Sequence, residues 1–551
     1  MHELAVFSTA VRRLLFAAVM LAGVCGSVAG RADEAKPLAV ASLSPPGGQA
    51  GTTVVVTAEG EFPSWPVQAW TDRGSLVWTP QEEAGQFAVT IPPDGCFGLH
   101  SVRFYDASGA TAVVPFLVGN LPERAEAEPN NTLAEATPLD ALPQTINGLL
   151  EKSGDVDSYR VELQAGETLV AALEANRLLG SPVDAVLELV DEGGAYLGRN
   201  LDATGLDPRL GYTAVRDGVH VIRVYGFPAA PNSTIGLAGG GDHRYRLTVS
   251  KTGLLTGCLP TVAAAAAETS LRACGFAVPE HLSPITATTA NHRSLWAAFP
   301  GVPGVIELPV VATAVLPIGS AADEHSLPLS PPFVASGQFT TADEEHRFRV
   351  AAVKDQKLQV RLESQSAGFE ADPLLAIHDA EGAVLVAKQE RDASLSWAAA
   401  QDGLVTFAVR DRRGRCGPGH LYRLSVEPET PAFTASVSAD QFTATVGEPL
   451  AIEISINRKF GFAEPITFSL TGGPDGVTAE PVTSANEGDA ATKVSLTIHA
   501  SAATGGPLRI EGRPQNQESP APAAPIAVVF GGTTLREAWL TILPAGEAGP
   551  E

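Results

Sequence analysis

Hydrophobic and polar residues alternate with a period of two along many segments of this 551-residue chain. In the segment 159–163 the apolar positions are Tyr159, Val161 and Leu163, and the segment 245–249 repeats the alternation. Because successive side chains of a strand point to opposite faces, this pattern predicts strands with one buried face. Short strands at this spacing predict an all-β fold, a multi-domain string of β-sandwich or jelly-roll modules.

Composition agrees with this interpretation. The chain contains 54 Gly and 42 Pro residues, which favours many turns between short strands over long amphipathic helices. The hydrophobic fraction of 44% excludes wholesale disorder. At roughly 100–200 residues per domain, the length predicts about three to five domains.

The first 32 residues have the pattern of a secretory signal peptide. Arg12 and Arg13 precede the apolar run Leu14–Val24, and small residues around Ala29 follow it. A buried N-terminal helix is the alternative. No later apolar run reaches the roughly 18 residues of a membrane span. We therefore expect a signal peptide at 1–32 and a mature chain, without a membrane span, that is secreted, periplasmic or held in the cell envelope.

The charge balance argues against one class of partner, nucleic acids. The chain carries 37 Lys and Arg residues against 62 Asp and Glu residues, a formal net charge of −25. A nucleic-acid-binding protein neutralises phosphates with Lys and Arg, and this excess of acid would repel them. We expect no nucleic-acid partner.

Turn signals and strand runs divide the mature chain into five parts. Residues 37–120 predict a β-sandwich, in which the P-P-G-G turn at 45–48 and the strand 52–57 resemble the immunoglobulin-like IPT/TIG family. A hairpin around the turn 106–109 closes it. Residues 252–330, rich in Ala, Pro and Val, predict a degenerate small β-domain or linker. Residues 431–545 predict an immunoglobulin-like β-sandwich, followed by a disordered tail at 544–551.

Residues 121–251 carry four motifs in a fixed order. They are EAEPNNT at 126–132, GDVDSY at 154–159, DG at 217–218 and YRL at 245–247. This order resembles the bacterial pre-peptidase C-terminal domain, PPC, which is appended to secreted peptidases and to many exported proteins without a peptidase. The resemblance implies a β-sandwich and an exported protein more firmly than it implies an activity.

The same strand runs recur later in the chain. Residues 346–350 parallel 158–161, residues 401–409 parallel 216–224, and residues 420–426 parallel 243–249. Composition alone does not generate internal repeats of whole strands. The repeat predicts a second, diverged PPC-like domain at 331–428.

Catalytic signatures are absent from the sequence. It contains no H-E-x-x-H, no G-x-S-x-G and no P-loop. His325 and His346 each follow acidic residues, but solvated loops are the better interpretation. We expect a non-enzymatic binding, adhesion or structural protein whose partner is an extracellular protein or polysaccharide. An accessory or targeting subunit of a separately encoded secreted hydrolase is the alternative, and a catalytic site without a motif also stays open.

Acidic residues in the first PPC-like segment predict a metal site. Glu126, Glu128 and Asn130 stand at i, i+2 and i+4 and point to the same side of an extended chain, and Asp155 and Asp157 repeat the spacing before a strand. Calcium takes about 6–8 oxygen ligands, which suits such a set. PPC-like domains of bacterial collagenases use a similar E-x-E-x-N segment with a later aspartate pair as a calcium site.

Two alternatives accompany this calcium prediction. Either Asp157 or Ser158 could take the place of the second aspartate, and the acids could instead form a solvated interdomain linker. The second copy has TADEE at 341–345 and no E-P-N-N counterpart in 327–337. We therefore predict that the second copy binds no ion.

Cysteines and tyrosines complete the candidate chemistry. No C-x-x-C pair occurs, which argues against a zinc ribbon. In an oxidising compartment Cys258 and Cys274 could close a disulfide worth about 3 kcal/mol, whereas Cys96 and Cys416 are equally compatible with free thiols and a bridge. Five of the seven tyrosines lie in 121–251. Alternation predicts that Tyr159 and Tyr245 pack in the core, whereas Tyr196 and Tyr212 are free to form a binding face.

Overall fold

Alternation along the sequence corresponds to strands throughout the computed structural model. It is 57% strand and 2% helix, which confirms the all-β fold with many separate sheets. The structure describes residues 37–94, 96–230, 236–265, 267–279, 282–288, 294–316, 327–388, 392–515, 524–525, 527–530 and 533–545. The predicted signal peptide, 1–32, and most of the predicted disordered tail lie outside these residues. Within them, no helix has the length and apolarity needed to cross a membrane.

The amino-terminal module consists of two sheets around one core. Its strands are β1 (Ala39–Ser44), β2 (Gly47–Gln49), β3 (Thr53–Glu61), β4 (Gln68–Thr71), β5 (Val77–Pro80), β6 (Gln86–Thr90), β7 (Gly98–Asp106), β8 (Gly109–Ala110) and β9 (Val114–Gly119). The sheets have the orders β1-β3-β6-β5 and β2-β9-β7-β4. Phe87, Phe104 and Phe116 are fully buried between them. The predicted closing hairpin is the antiparallel pair β7 and β9.

The first repeat comprises ten strands and one short helix. They are β10 (Glu123–Ala125), β11 (Thr137–Pro138), β12 (Gln144–Leu149), β13 (Asp157–Leu163), β14 (Thr168–Glu174), α1 (Asn176–Leu179), β15 (Val183–Asp191), β16 (Tyr196–Asn200), β17 (Arg209–Thr213), β18 (Gly218–Pro228) and β19 (Arg244–Ser250). The two sheets have the orders β10-β12-β19-β14-β17 and β11-β13-β18-β15-β16. Inward-facing side chains of both sheets form one core, which includes Leu173, Leu187 and Leu247.

The bridging segment forms two three-stranded sheets. Its strands are β20 (Leu254–Leu259), β21 (Ala263–Ala264), β22 (Glu268–Phe276), β23 (Ile285–Thr288), β24 (Ser294–Ala297) and β25 (Ile306–Val311). The sheet orders are β20-β22-β23 and β21-β25-β24. Leu255, Leu271 and Phe299 are buried in its small core. The alanine-rich run of this segment begins with the short strand β21.

The predicted disulfide in the bridging segment is wrong. Cys258 lies opposite Ala273, and Cys274 lies opposite Gly257, so the two thiols point to opposite faces of the β20–β22 pair. Cys258 packs in the core of the segment, whereas Cys274 packs against the second repeat. All four cysteines in the described part of the chain are free thiols.

The second repeat follows. Its strands are β26 (Ala314–Val315), β27 (Phe333–Gln338), β28 (Glu345–Ala352), β29 (Lys357–Glu363), β30 (Pro373–His378), β31 (Val384–Lys388), β32 (Ala393–Ala398), β33 (Gly403–Asp411) and β34 (Leu421–Pro428). The sheet orders are β26-β27-β34-β29-β32 and β28-β33-β30-β31. Each strand of the second repeat has an equivalent at the same place in the two sheets of the first repeat. The first repeat has one further edge strand, β11.

Cross-strand register aligns the two repeats residue by residue. Gly148 lies opposite Tyr245, and Gly337 lies opposite Tyr422. A Cβ atom at position 148 would lie 2.1 Å from the ring of Tyr245, and one at position 337 would lie 2.4 Å from the ring of Tyr422. Each ring therefore leaves room only for a glycine opposite it. On the other sheet Leu163 lies opposite Gly218 and Ala352 opposite Gly403. Asp157 in β13 and His346 in β28 lie the same number of residues before Leu163 and Ala352. His346 is therefore the structural equivalent of Asp157, whereas the sequence motifs align it with Ser158.

The carboxyl-terminal module is a two-sheet sandwich. Its elements are β35 (Ala432–Val437), β36 (Gln441–Thr445), β37 (Leu450–Lys459), β38 (Ile466–Gly472), β39 (Val477–Ala479), β40 (Val482–Ser484), a 3-10 turn (Asp489–Ala491), β41 (Lys493–Ala500), β42 (Thr504–Pro514), β43 (Ala524–Pro525), β44 (Ala527–Phe530), β45 (Thr533–Leu535) and β46 (Ala538–Leu543). The orders are β39-β41-β37-β35-β44-β45 and β36-β46-β42-β38-β40. Arg103 of the amino-terminal module forms a buried 2.7 Å ion pair with Asp440.

Candidate metal centre in the first repeat

The segment after β10 connects the two sheets of the first repeat. β10 pairs in parallel with β12, and the Glu126 amide continues this pairing by donating to the Asn147 carbonyl at 3.0 Å. The chain then crosses to the other sheet, where β11 pairs with β13. The Ser158 amide donates to the Asn130 carbonyl at 3.0 Å during this crossing. The segment therefore lies against the beginning of β13, where Asp157 stands.

Three carboxylates converge at this crossing. One carboxylate oxygen from each of Glu126, Glu128 and Asp157 lies within 4.8 Å of the other two. Asp157 is fully buried, whereas Glu128 reaches the surface. The group is therefore open to solvent at one end and enclosed at the other, which is a geometry that a cation can enter.

Tyrosine hydroxyls form the floor of the group. The Tyr245 hydroxyl lies 2.5 Å from Asp157 Oδ2 and 3.1 Å from Glu126 Oε2, and the Tyr159 hydroxyl lies 2.6 Å from that of Tyr245. The Leu149 amide donates to Glu126 Oε1 at 2.6 Å. Both tyrosine rings are buried, which confirms their predicted core role. Alternation gave no signal that their hydroxyls would touch the acids.

Several buried polar atoms beside the carboxylates lack partners. Asn130 is fully buried, and neither polar atom of its side chain has a hydrogen-bond partner among the described residues. The same holds, within those residues, for Asp157 Oδ1 and Ser158 Oγ. A buried polar group without a partner costs about 1–3 kcal/mol. Three of these atoms are oxygens that could coordinate a cation, whereas Asn130 Nδ2 is a donor that a cation cannot satisfy.

The protonation of the two inner acids follows from their burial. Burial, together with the nearby charge of Glu126, raises the pKa of Asp157 to about 9. Burial likewise raises the pKa of Glu126 to about 7. Two carboxylates buried side by side therefore keep at least one proton between them at neutral pH, which a bound cation would replace.

The structure places the five predicted residues unequally. Glu128 Oε2 accepts hydrogen bonds from the Asn130 amide at 3.0 Å and from Asn131 Nδ2 at 3.2 Å, which fixes the segment. Asp155 is buried, but its Oδ2 accepts from the Glu151 amide at 2.6 Å and its carboxylate is outside the group of three. Asp157, not Ser158, supplies the carboxylate at the start of β13.

A histidine occupies the equivalent position of the second repeat. His346 Nδ1 lies 2.7 Å from the Tyr422 hydroxyl, and Nε2 lies 2.8 Å from Glu344 Oε1. Phe348 stands where the first repeat has Tyr159. The interpretation of His346 as a solvated loop residue is wrong, because it lies in β28 with only 15% of its side chain exposed. The packing of β28 against Tyr422 of the opposite sheet, rather than any local motif, carries this information.

Glu344 is held in its charged form. Its burial would raise its pKa, but the hydrogen bond from His346 and those from the Thr341 and Thr340 amides outweigh burial and lower the pKa to about 2. The acid of the second repeat is thus already stabilised by hydrogen bonds from His346 and from two backbone amides. Residues 317–326, which include His325, lie outside the described residues.

Comparisons with known proteins assign the chain to no family. No family model matches the chain, and no curated protein matches it. Among solved structures, it aligns with the M60 catalytic domain with the CBM51-1 and CBM51-2 domains from Clostridium perfringens ZmpB, at 8% identity and TM-score 0.14, over 70% of this chain and 46% of that chain. It aligns with tripeptidyl peptidase 2 at 9% identity and TM-score 0.15, over 92% of this chain and 40% of that chain. The chain therefore spans less than half of either, and neither alignment enters the proposals below.

Proposed function

We propose that this chain is an exported, non-enzymatic binding protein of the PPC-containing kind, and that its first repeat binds calcium between Glu126, Glu128, Asn130 and Asp157. One observation supports this proposal above the others. A fully buried Asn130 and a buried oxygen of Asp157 lack hydrogen-bond partners among the described residues, directly beside converging carboxylates. A hard cation that prefers oxygen ligands satisfies such a set.

Each residue has a defined part in this proposal. The carboxylates of Glu126, Glu128 and Asp157 and the amide oxygen of Asn130 would hold the ion, and water would complete the roughly 6–8 ligands that calcium takes. Tyr245 orients Asp157 through its hydroxyl. Asp155 has a supporting part, because its carboxylate fixes the turn that leads into β13.

Calcium would join the two sheets of the first repeat. Glu126 continues the pairing of β10 with β12 in one sheet, and Asp157 begins β13 in the other sheet. Binding that occurs only in the folded state stabilises that state by RT ln(1 + [L]/Kd). The ion would therefore act as a structural clamp on a binding module rather than as a catalytic centre.

Export and binding are supported by separate features. The signal-peptide pattern and the PPC resemblance support export, and the string of β-sandwich modules supports display of binding surfaces. The alternative role, an accessory subunit of a secreted hydrolase, differs only in its partner. Capture of partners by the purified chain from a culture medium distinguishes the two roles, because a hydrolase would co-purify only in the second.

The calcium site is tested by thermal unfolding of the full chain. At a hundredfold excess over Kd, calcium should stabilise the folded state by about 2.7 kcal/mol relative to chelator. Glu128→Gln should remove most of this gain. Asp140→Asn is the matched control, because Asp140 is an exposed acid of the same segment outside the group of three. Equal melting of the unmodified chain in calcium and in chelator would refute the site.

A further inference from the structure

A cavity lies where the first repeat, the bridging segment and the second repeat meet. Its volume is about 320 Å³, and its walls come from β14, β17, β20, β24, β25, β34 and the turn 366–369. Small-molecule sites are commonly clefts of about 300–1,000 Å³, so this volume suits a small ligand. The cavity shares no residue with the carboxylate group around Asp157.

One wall of the cavity carries an acid beside an aromatic ring. Trp296 of β24 lies directly opposite Glu307 of β25, and both residues border the cavity. Because directly opposed residues of an antiparallel pair point to the same face of a sheet, the indole and the carboxylate are neighbours. The indole also packs directly against Gly98 of the amino-terminal module, which fixes the ring.

The acid of this wall has no counter-charge. Glu307 is exposed, and its carboxylate forms no ion pair and no hydrogen bond with any residue that the structure describes. An ammonium group placed here would be attracted by the carboxylate and by the ring of Trp296 beside it. The wall from the bridging segment therefore favours a protonated amine.

The walls from the two repeats carry arginines with unused donors. Arg209 of β17 donates from Nη1 to Glu370, and Arg423 of β34 donates from Nε to Glu363, each at 2.9 Å. A guanidinium group has five N–H donors, so each arginine can hold a second acceptor. Arg209 Nη2 and both terminal nitrogens of Arg423 lack hydrogen-bond partners within the described part of the chain, and none of the three is sealed from solvent. These walls therefore favour a carboxylate, which accepts such charged hydrogen bonds.

The other charged residues of the lining form pairs. Arg246 donates to both carboxylate oxygens of Glu123, at 3.0 Å and 2.6 Å, and Arg177 lies 3.6 Å from Glu174. These pairs are balanced and select no charge on a ligand. The features that do select are the acid on one wall and the unused donors on the others, and a ligand that uses both must carry an amine and a carboxylate.

We propose that this junction cavity binds a short free peptide as a zwitterion, with its ammonium group at Trp296 and Glu307 and its terminal carboxylate at Arg209 and Arg423. A free peptide carries both charges at neutral pH, because the ordinary pKa values of its carboxyl and amino termini are about 3.5 and about 8. The inference deepens the binding function proposed above and rests on it, since it names the class of partner. It does not use calcium.

The test is a calorimetric titration of the full chain with dialanine, dileucine and trialanine. Each peptide is also supplied with an acetylated amino terminus and, separately, with an amidated carboxyl terminus. We expect at least one free peptide to bind, and either cap to weaken its binding about tenfold or more, because each cap removes one charged partner. Binding of none of the free peptides, or an affinity that either cap leaves unchanged, would overturn the inference.

Variants locate the two ends of the peptide. Glu307→Gln should weaken binding about tenfold or more and leave thermal unfolding unchanged, because Glu307 has no partner to lose among the described residues. Glu268→Gln is the matched control, since Glu268 is an exposed glutamate of the same bridging segment outside the cavity. Arg423→Gln should weaken the free peptide but not its amidated form, which has no carboxylate to lose. Full affinity in Glu307→Gln, or equal weakening of both peptide forms in Arg423→Gln, would contradict the assignment.

A calcium arm separates this inference from the function it rests on. Peptide affinity should be the same in calcium and in chelator, because the cavity contains no residue of the carboxylate group. A chain that is stabilised by calcium but binds no peptide would refute the cavity inference alone. A chain that binds peptide through Glu307 but gains no stability from calcium would support the cavity inference and refute the cation site alone.

Discussion

The two repeats share a scaffold and differ in the group that faces one buried tyrosine. Tyr245 and Tyr422 lie opposite equivalent glycines in sheets of the same strand order. In the first repeat the tyrosine hydroxyl meets Asp157, and in the second it meets His346. The core specifies the sandwich in both copies, and the polar position on β13 or β28, together with the acidic segment 126–130 that only the first copy has, decides whether acids gather there.

The consequence of this difference is electrostatic. The first repeat collects Glu126, Glu128 and Asp157 and leaves an oxygen of Asp157 without a partner among the described residues. The second repeat holds Glu344 by hydrogen bonds from His346, at 2.8 Å, and from two backbone amides. A group of three acids without an ion pair among the described residues attracts a cation more strongly than a single acid held in this way.

The largest expected effect concerns the scaffold that both repeats share. Gly148→Ala and Gly337→Ala should each destabilise their repeat by about 1–3 kcal/mol or more, because the new Cβ atom would overlap a tyrosine ring. Denaturant unfolding of the full chain measures the loss. Gly109→Ala is the control, since no atom lies within 4 Å of its Cβ position. A loss in only one repeat would mean that the two tyrosines are not equivalent.

The next effect separates the repeats. Asp157→Asn should cancel the stabilisation by calcium, about 2.7 kcal/mol at a hundredfold excess over Kd, because it removes a buried charged ligand. In chelator at pH 8 the same variant should be at least as stable as the unmodified chain, since asparagine is neutral without a proton whereas buried Asp157 must be kept protonated far above its ordinary pKa. His346→Asn should leave the calcium response unchanged. Thermal unfolding of both variants and of the unmodified chain, in calcium and in chelator, measures these three effects. A calcium response that is lost in His346→Asn would contradict the difference between the repeats.

The smallest effect is an opposite dependence on pH. Burial raises the pKa of Glu126 to about 7 and of Asp157 to about 9, so in chelator the first repeat should lose stability as pH rises from about 4, the ordinary carboxyl pKa, to about 9. The pKa of Glu344 is lowered to about 2, so the second repeat should lose stability as pH falls below about 4.5. The effect at Glu344 is the weaker one, because partial exposure screens it.

Hydrogen exchange measures these two trends separately. Peptides that cover β13 and β28, corrected for the intrinsic pH dependence of exchange, report the local stability of each repeat. Addition of calcium should remove the loss at high pH in β13 and leave β28 unchanged. The same direction of change in both peptides would contradict the assignment of the two acidic groups.

Local pattern and cross-strand register explain what the sequence could predict. Alternation around Tyr159 and Tyr245 predicts their burial because strand period is a local property. The i, i+2 spacing of Glu126 and Glu128 predicts a shared side for the same reason. The partner of His346 depends on the register of β28 against its neighbours and on the opposite sheet, which no local motif records.

Two further failures have the same origin. Cys258 and Cys274 are close along the chain, yet the register of β20 against β22 places them on opposite faces. Asp155 resembles Asp157 in sequence, yet the turn before β13 uses its carboxylate to accept from the Glu151 amide. In both cases a neighbouring backbone, rather than the residue type, decides the role.

The number of calcium ions that the full chain binds tests the comparison most directly. Equilibrium dialysis or native mass spectrometry of the unmodified chain should find one tightly bound ion, which Asp157→Asn abolishes and His346→Asn retains. The carboxylate group of the first repeat provides the site, and the Glu344–His346 pair of the second provides none. A chain that binds no calcium, or one whose bound ion survives Asp157→Asn, would contradict the account.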